Sequence, residues 1–489
     1  MTKIVLFFLI LTPFFIMGQD VVFEDNDQII TGPISSDYSG LVTYEEEKNY
    51  FLLNFLKDDF LRTCIYDNEF RLIENMLIEK ENSLEYNTFV ESYGSNKKHV
   101  FIYRKKSGRK FYAISVDFEN NLTFQKSLDF KLKGEDFLST FSQGDKFYVI
   151  SKVEDSRLLR LHILDVDLKY QIEEIDINKS EFYLNGKRLP AMPPLRVGMK
   201  DPVFHFPKFS GNSLLTALSS NKPLSNDLIT AANKFYVRPD QVIMTLDFDD
   251  DQNIVIEINL NDYSTVLRKT LKISDEKFST SNTKSNSFLL DDKLFLFKGN
   301  KKTLYLRILN RADNTLLHQD SYDLFLPYLS QENLMVKLSD FLTYKQEGEE
   351  QQSVRKKFSK LVKAKDRMGL RVSEGNNSYR LSFGVFGTRN ISVPIVSAAV
   401  SPALVVGAGI NFTFNKENSL DFYLNKPGYE LTYDTFKNHY DLMDDYLNEK
   451  YDDKVKKSIL WKVFFKKGAN HFAGYYDKAD EKFYLRKFN

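Results

Sequence analysis

The residues best suited to bind a cation form an acidic run at 247–253, Asp-Phe-Asp-Asp-Asp-Gln-Asn. Carboxylates at alternate positions are the hard oxygen ligands that Ca²⁺ prefers. A calcium loop of the EF-hand type also needs a glycine at its sharp turn and a bidentate glutamate at its end. Gln252 and Ile258 occupy those two positions. We therefore interpret the run as an acidic hairpin turn exposed to solvent and predict no metal site.

Other residue types that carry chemistry occur without the spacing that the chemistry needs. None of the histidines forms the HxH or HExxH spacing of a metal site. Gly407 and Gly409 lack the third glycine of a dinucleotide fingerprint, because Phe412 stands there. The sequence contains neither a Walker A motif nor a G-x-S-x-G elbow. These observations predict no cofactor and no catalytic site, although carboxylate pairs that converge only in three dimensions leave no sequence signal. The six histidines are His99, His162, His205, His318, His439 and His471.

A proline-rich segment at 190–207 is the best candidate for a binding loop. Its prolines are Pro190, Pro193, Pro194, Pro202 and Pro207. They exclude a regular strand or helix over most of the segment. Long irregular connections in compact domains often carry function. We predict partner binding by the four polar residues interleaved with the prolines, and the alternative is a stiff structural crossover. These four residues are Arg196, Lys200, Asp201 and His205.

The N-terminus has the pattern of a signal peptide. Lys3 precedes an apolar run at 4–17, which ends at Gly18 and is too short to span a bilayer comfortably. We predict a signal peptide at 1–18, a mature chain at 19–489, and a secreted or periplasmic location. The alternative is an uncleaved N-terminal anchor. The single cysteine, Cys64, excludes an intrachain disulfide and is expected to be a buried thiol in an apolar strand.

A second uncharged stretch, at 391–410, is long enough to cross a membrane. Pro394 and Pro402 interrupt it, and many of its other residues are small or β-branched. We interpret it as two buried strands or a small-residue loop, and predict no transmembrane span in the mature chain. The chain has 67 basic and 67 acidic residues. This balance gives no support for binding to nucleic acid.

An internal repeat of about 48 residues predicts the fold. Five segments share an apolar run, a charged turn, an alternating strand, an Asp or Asn, and a third apolar patch. The polar markers are Asp67, Asp117, Asp165, Asn261 and Asn310, at spacings of 50, 48, 96 and 49 residues. Because 96 is twice 48, the pattern implies one diverged copy between Asp165 and Asn261. Segments 379–386, 412–424 and 460–488 could form a further copy.

All-β units at this spacing are typical of β-propeller blades. We predict an all-β propeller of seven blades, with six and eight as the neighbouring alternatives. A pair of ordinary β-sandwiches is the alternative fold. Two segments with helical periodicity, near 347–367 and 434–455, are predicted as insertions within the propeller domain.

The fold does not decide the function, because propellers carry both binding sites and active sites. The absence of catalytic motifs favours an exported, non-catalytic binding or scaffold protein that presents its loops to a protein or cell-envelope partner. The alternative is an extracellular enzyme that acts on glycans, with acidic residues gathered at the mouth of the propeller. The sequence leaves the oligomeric state open.

Overall fold

The computed structural model describes most of the chain between residues 21 and 488. The described residues are 21–24, 39–44, 50–56, 59–81, 85–86, 88–95, 97–105, 110–130, 132–192, 216–218, 229–247, 251–272, 283–323, 338–339, 361–363, 368–393, 410–426, 428–430, 436, 442, 446, 459–467, 470–477 and 482–488. The predicted signal peptide at 1–18 lies outside them. The chain divides into two compact units, one of residues 1–84, 221–223 and 439–489, and one of residues 85–220 and 224–438.

The described residues form seven β-sheets, of which two lie in the first unit. One has the order β2 (Ser39–Tyr44), β3 (Tyr50–Leu56), β4 (Phe60–Asp67) and β5 (Leu72–Glu79). The other joins β1 (Val21–Glu24) to the last strands of the chain, β31 (Lys482–Phe488), β30 (Asn470–Asp477) and β29 (Ile459–Lys467). The second sheet thus takes one strand from the start of the chain and three from its end.

The second unit contains the other five sheets. The first comprises β6 (Thr88–Gly94), β7 (Lys98–Arg104), β8 (Phe111–Asp117) and β9 (Leu122–Leu128). The next comprises β10 (Glu135–Gln143), β11 (Lys146–Val153), β12 (Leu158–Asp165) and β13 (Tyr170–Asp176). Each is a four-stranded antiparallel meander in chain order.

The following sheet is larger. A short 3₁₀ helix at Ile177–Lys179 leads into β14 (Glu181–Leu184) and β15 (Lys187–Leu189). The remaining strands are β16 (Thr216–Leu218), β17 (Asn233–Val237), β18 (Gln241–Leu246), β19 (Gln252–Asn259) and β20 (Thr265–Leu271). The strand order is β15-β14-β20-β19-β18-β17-β16.

Two more four-stranded sheets complete the unit. One has β21 (Lys284–Leu290), β22 (Lys293–Gly299), β23 (Thr303–Asn310) and β24 (Leu316–Asp323) in order. The other has the order β25 (Leu338–Ser339), β28 (Ile410–Asn425), β27 (Ser378–Val393) and β26 (Met368–Glu374). Strands β27 and β28 reach into the two ends of the uncharged stretch at 391–410, and residues 394–409 lie outside the described part.

The fold class is the predicted all-β propeller, and we call each of the seven sheets a blade. We number them in order along the chain: the sheet that begins with β2 is blade 1, and the sheet that ends with β31 is blade 7. Of the two predicted helical insertions, residues 361–363 are helical, and Leu361 and Val362 are buried. Apart from those residues and positions 436, 442 and 446, both predicted insertions lie outside the described residues.

The blade count is as predicted, but two blades have a different origin from the one that the repeat implied. The diverged copy expected between Asp165 and Asn261 is not a separate blade among the described residues. That stretch instead adds β14, β15 and β16 to blade 4. The segments expected to form one further copy are divided between blades 6 and 7. The spacing of 96 residues therefore reflects a long insertion.

The polar markers of the repeat stand at one kind of turn, between the third and fourth strands of a blade. The Asp67 carboxylate accepts hydrogen bonds from the backbone N–H groups of Glu69 and Arg71, at 2.8 and 3.0 Å. Such side-chain-to-backbone bonds replace the missing strand ladder in the turn. In blade 4 the turn begins at Asn259, two residues before the predicted marker Asn261.

Each of these turns contains a non-glycine residue in the left-handed region, where L-residues are strained. Several of these residues are large and apolar, and their side chains pack against the cores between blades: Leu168 is 8% exposed in the core of blades 2 and 3. These turns therefore connect two strands and also contribute side chains to the cores between blades. The left-handed residues of the five turns are Phe70, Asn121, Leu168, Tyr263 and Asn314, with φ between 53° and 61°.

Candidate functional site: a groove between blades 2 and 3

Strand β9 exposes two large apolar side chains. Leu122 and Phe124 are 62% and 57% exposed. Side chains two residues apart on a strand share a face, so these two lie on the face of Lys126 and Leu128. Leu128 is buried in the core shared by blades 2 and 3. Leu122 and Phe124 therefore border the outer opening between these two blades.

Strand β13 contributes the opposite side. Tyr170 pairs with Leu164 of β12, and Ile172 pairs with His162. Directly paired residues have their side chains on the same face of a sheet. Leu164 belongs to the core of blades 2 and 3, so Tyr170 and Ile172 face it as well. They are 41% and 45% exposed. We call the surface formed by Leu122, Phe124, Tyr170 and Ile172 the blade 2–3 groove.

Contacts between the two blades position the groove. The ring of Phe130, which follows β9, lies 5.1 Å from Phe111 of blade 2 and 5.7 Å from Tyr170 of blade 3. Near the turn end of the strands, the Lys98 ammonium lies 2.6 Å from the Asp167 carboxylate. Aromatic pairs of this kind stabilise a contact by more than the burial of their apolar area alone would. The groove therefore lies between two blades that contact each other directly.

A buried polar network lies beneath Tyr170. Glu135 and His162 are 2% and 1% exposed, and His162 Nε2 lies 2.8 Å from Glu135 Oε2. The Ser151 hydroxyl donates to the same carboxylate oxygen. Arg160 donates to Glu135 Oε1 at 2.7 Å and also pairs with the exposed Glu174. A buried carboxylate with both oxygens occupied avoids the large cost of an unpaired buried charge.

The network orients the His162 ring. Its Nε2 faces the Glu135 carboxylate and donates to it, and its Nδ1 lies 2.7 Å from the Tyr170 hydroxyl, which is also 3.3 Å from the carbonyl oxygen of Phe130. Burial lowers the pKa of His162, although the neighbouring Glu135 opposes this. Burial alone would raise the pKa of Glu135, but hydrogen bonds from Ser151, Arg160 and His162 outweigh it and lower the pKa. Burial raises the pKa of Tyr170 to about 12.

The network is not a nucleophilic triad, although it contains serine, histidine and glutamate. In a triad the acid and the nucleophile contact different nitrogens of the imidazole. Here Ser151 and Glu135 both approach Nε2, and the Ser151 side chain is fully buried. The arrangement instead holds Tyr170 in one orientation at the surface. Its chemistry is that of a rigid polar floor under an apolar groove.

The next opening, between blades 3 and 4, is covered by the chain itself. Strand β14 pairs in parallel with β20, the fourth strand of blade 4. Phe182 of β14 lies opposite Leu267, and both are buried, at 2% and 0% exposure, in the core of blades 3 and 4. Asn185 holds the hairpin against the end of β20, because its backbone N–H donates to the carbonyl oxygen of Lys269 at 2.9 Å. We call this surface the blade 3–4 groove.

The four predicted binding residues Arg196, Lys200, Asp201 and His205 lie outside the described residues. The structure therefore leaves their role a prediction. The groove residues that it does reveal were not predicted. Their sequence signal is weak: apolar residues opened the fourth strand in most copies of the repeat, and exposure there follows from three-dimensional position.

The interpretation of the acidic run as exposed is wrong for its first and last residues, because Asn253 is 0% exposed and donates to the Asp247 carboxylate at 2.9 Å. Asp247 is 6% exposed, and its carboxylate lies 3.0 Å from the Lys272 ammonium. Burial raises the pKa of Asp247, but Lys272 and Lys234 outweigh it and lower the pKa. Asp251, whose side chain is 65% exposed, is consistent with the exposed interpretation and lies 2.5 Å from the Lys298 ammonium. Within the described part of the chain, no three His, Cys, Asp or Glu residues are grouped to hold a metal.

Two smaller expectations concern packing. Cys64 is buried, as predicted. Tyr475 and Tyr476 are 0% and 2% exposed and also belong to the interior. No helix of the described residues is both long enough and apolar enough to cross a membrane.

Comparison with known proteins leaves the fold assignment resting on the sheets themselves. No family model matches the sequence, and no curated protein matches it. Among solved structures, a prolyl endopeptidase is similar over 91% of this chain and 55% of its own, with a TM-score of 0.32 and 8% identity. The chain thus spans about half the length of that structure.

Two further solved structures are similar over most of this chain. Hsv2 of Kluyveromyces lactis matches 92% of this chain and 98% of its own, with a TM-score of 0.30 and 8% identity. The Dos1 propeller matches 91% and 77%, with a TM-score of 0.31 and 7% identity. Similarities this low carry no inference about activity or partners.

Proposed function

We propose that the protein is an exported, non-catalytic propeller scaffold that binds an extended segment of a partner protein in the blade 2–3 groove. The observation that carries the proposal is the concentration of exposed apolar side chains there. Of the ten exposed large apolar side chains among the described residues, four line this groove. Exposed apolar patches rimmed by polar residues mark sites of interaction with other proteins.

The surroundings of the groove indicate the chemistry of the partner. Lys126 on β9 and Glu174 on β13 follow the two apolar positions on each strand, and Glu174 pairs with Arg160, so the end of the groove is polar. Each strand exposes only two apolar side chains. This small surface suits an extended segment of a partner better than the face of a folded domain. An extended chain with two apolar side chains at alternate positions, followed by a polar one, would match this order.

The carboxyl groups support a binding role over glycan hydrolysis. A glycosidase needs a carboxylic acid whose pKa is raised, so that it can protonate the leaving group. In the part of the chain that the structure describes, the carboxyl groups with a clearly altered pKa have it lowered. They are held as carboxylates by hydrogen bonds and by neighbouring cations.

Export is part of the proposal and is supported by the apolar run at 4–17 that ends at Gly18. Sequencing of the N-terminus of the mature protein, recovered outside the cytoplasm, would test it. We expect the mature chain to begin at Gln19. Recovery of the intact N-terminus from the cytoplasm would contradict export and leave the groove unaffected.

Site-specific photo-crosslinking tests the groove in the cell that produces the protein. Phe124 or Ile172 is replaced by a photoreactive phenylalanine, and Leu77 on β5, which is 66% exposed, is the matched control. We expect one protein adduct common to positions 124 and 172 and absent at 77. The adduct should disappear when the other groove residue is changed to Asp. Equal adducts at all three positions, or none, would overturn the proposal.

A further inference from the structure

Blades 3 and 4 have the same register around their fourth strands. In blade 4, Leu267 of β20 pairs with Ile256 of β19. In blade 3, Ile172 of β13 pairs with His162 of β12. Each is the third residue of its strand and faces the core shared with the preceding blade. Ile172 and Leu267 are therefore equivalent positions.

The two positions differ in what covers them. Leu267 is fully buried because Phe182 lies opposite it on β14. Strand β14 is added to the outer edge of blade 4 in parallel, with four residue pairs from Glu181↔Val266 to Leu184↔Lys269. Ile172 is 45% exposed, and β13 is the last strand of its sheet among the described residues. Blade 4 thus shows how the outer edge of a blade in this protein accepts a further strand.

An unpaired edge strand is a template for another extended chain, because its outward N–H and C=O groups have no ladder partner. Proteins usually protect such edges with short strands, charges or a covering segment. Strand β13 combines its edge with two exposed apolar side chains, which adds a favourable burial term to the backbone hydrogen bonds. On β20, the equivalent edge with its apolar Leu267 is covered by β14 and Phe182.

We propose that the partner segment adds to β13 as a parallel fifth strand of blade 3, with an apolar side chain opposite Ile172. This inference rests on the proposed function and specifies its geometry. The incoming side chain occupies the position that Phe182 occupies in blade 4. It is buried between Ile172 of blade 3 and Phe124 of blade 2, above the Tyr170 hydroxyl held by His162. The partner is thus recognised by its backbone as well as by one apolar anchor.

A peptide copy of the chain's own covering strand tests this geometry. The probe is residues 179–185, Lys-Ser-Glu-Phe-Tyr-Leu-Asn, whose natural place on β20 is already filled within the protein. It is added at about 1 mM, where contacts worth only about 4 kcal/mol are populated. Amide hydrogen exchange is followed across the chain. We expect slower exchange in residues 170–176 and no change in residues 265–271.

Two variants separate strand pairing from apolar contact. A probe N-methylated at alternate backbone amides keeps its side chains but cannot form the ladder, and we expect it to bind at least tenfold more weakly. Ile172→Asp should weaken binding by a similar factor. Lys187→Asp, on the exposed hairpin of blade 4, should leave it unchanged. An unprotected β13, or equal binding of the methylated probe, would overturn the strand-addition geometry.

The outcome is distinguishable from failure of the proposed function. Loss of the photo-crosslinks at positions 124 and 172 would remove the docking site and, with it, this inference. Crosslinks that persist while the methylated and unmethylated probes bind equally would retain the docking site and exclude the added strand.

Discussion

The blade 2–3 and blade 3–4 grooves are the same place in two successive repeats, and they differ in whether the chain covers them. In the blade 3–4 groove, Phe182 buries Leu267 completely. In the blade 2–3 groove, Phe124 and Ile172 remain 57% and 45% exposed. In both grooves, the outer opening between the blades is therefore lined by apolar side chains. Among the described residues, it is filled by a strand of the chain itself in one case and exposed in the other.

The floors of the two grooves differ as well. Blade 4 has Ile254 and Ile256 under its fourth strand, and blade 3 has Arg160 and His162 at the paired positions. An apolar floor suits a permanent covering strand, because it contains no polar group that requires a hydrogen bond from water. The polar floor of blade 3 is internally hydrogen-bonded and holds Tyr170 at the surface. An occupant of the open groove can therefore leave without exposing an unpaired charge.

The largest expected effect is a difference between two identical substitutions. Phe182→Ala should lower the free energy of unfolding by about 3–5 kcal/mol, because it removes a buried aromatic ring and uncovers Leu267. Phe124→Ala should change it by less than about 0.5 kcal/mol, because that ring is mostly in solvent. Urea denaturation of both variants measures this. Equal destabilisation would show that the blade 2–3 groove is covered too.

The polar floor gives the next largest effect. Glu135→Gln keeps the shape of the side chain but removes the charge that holds Arg160 and His162. We expect a loss of about 2 kcal/mol, as for a buried hydrogen bond to a charged group. Glu174→Gln, at a side chain that is 54% exposed, should cost little. If the two substitutions had the same effect on denaturation, Glu135 would not organise the floor.

A smaller effect is expected from pH. Because burial lowers the pKa of His162, the unfolded chain binds a proton there at a higher pH than the folded chain does. Stability should therefore fall as the pH drops below about 6.5, the ordinary histidine pKa. Glu135, whose pKa is also lowered, adds to the loss at lower pH, below its ordinary range near 4.5.

The variant His162→Gln isolates the first part of this pH dependence. It should be less stable than the parent chain at pH 7.5 and should lose less stability between pH 7.5 and 5.5. The readout is the urea midpoint at each pH. A parent chain with a flat profile over that interval would mean that folding does not lower the pKa of His162.

The architecture could be predicted from the sequence because the repeat depends on local interactions, which recur at the same turn of each blade. Asp67, Asp117, Asp165 and Asn310 recur since each begins the same turn and accepts backbone hydrogen bonds there. The diverged copy was misassigned because length alone does not distinguish a missing blade from an insertion. Residues 177–218 contain short strands that pair with β20 and β17, and pairing partners are not visible in a single sequence.

The groove escaped prediction for a related reason. Leu122, Phe124 and Ile172 read as ordinary strand residues, and the equivalent Leu267 is indeed buried. Whether such a residue is buried depends on a strand supplied from elsewhere in the chain. The network under Tyr170 left a faint signal, since Arg160 and His162 alternate with apolar residues where a core strand would have only apolar ones. The predicted binding residues near the prolines remain predictions.

Cysteine labelling compares the two grooves most directly, because the native Cys64 is buried. Ile172→Cys and Leu267→Cys are each treated with a maleimide in the folded protein, and then again in denaturant. We predict rapid labelling at position 172 and none at position 267 until the protein unfolds. Protection of both positions in the folded protein would contradict it, because the blade 2–3 groove would then be closed.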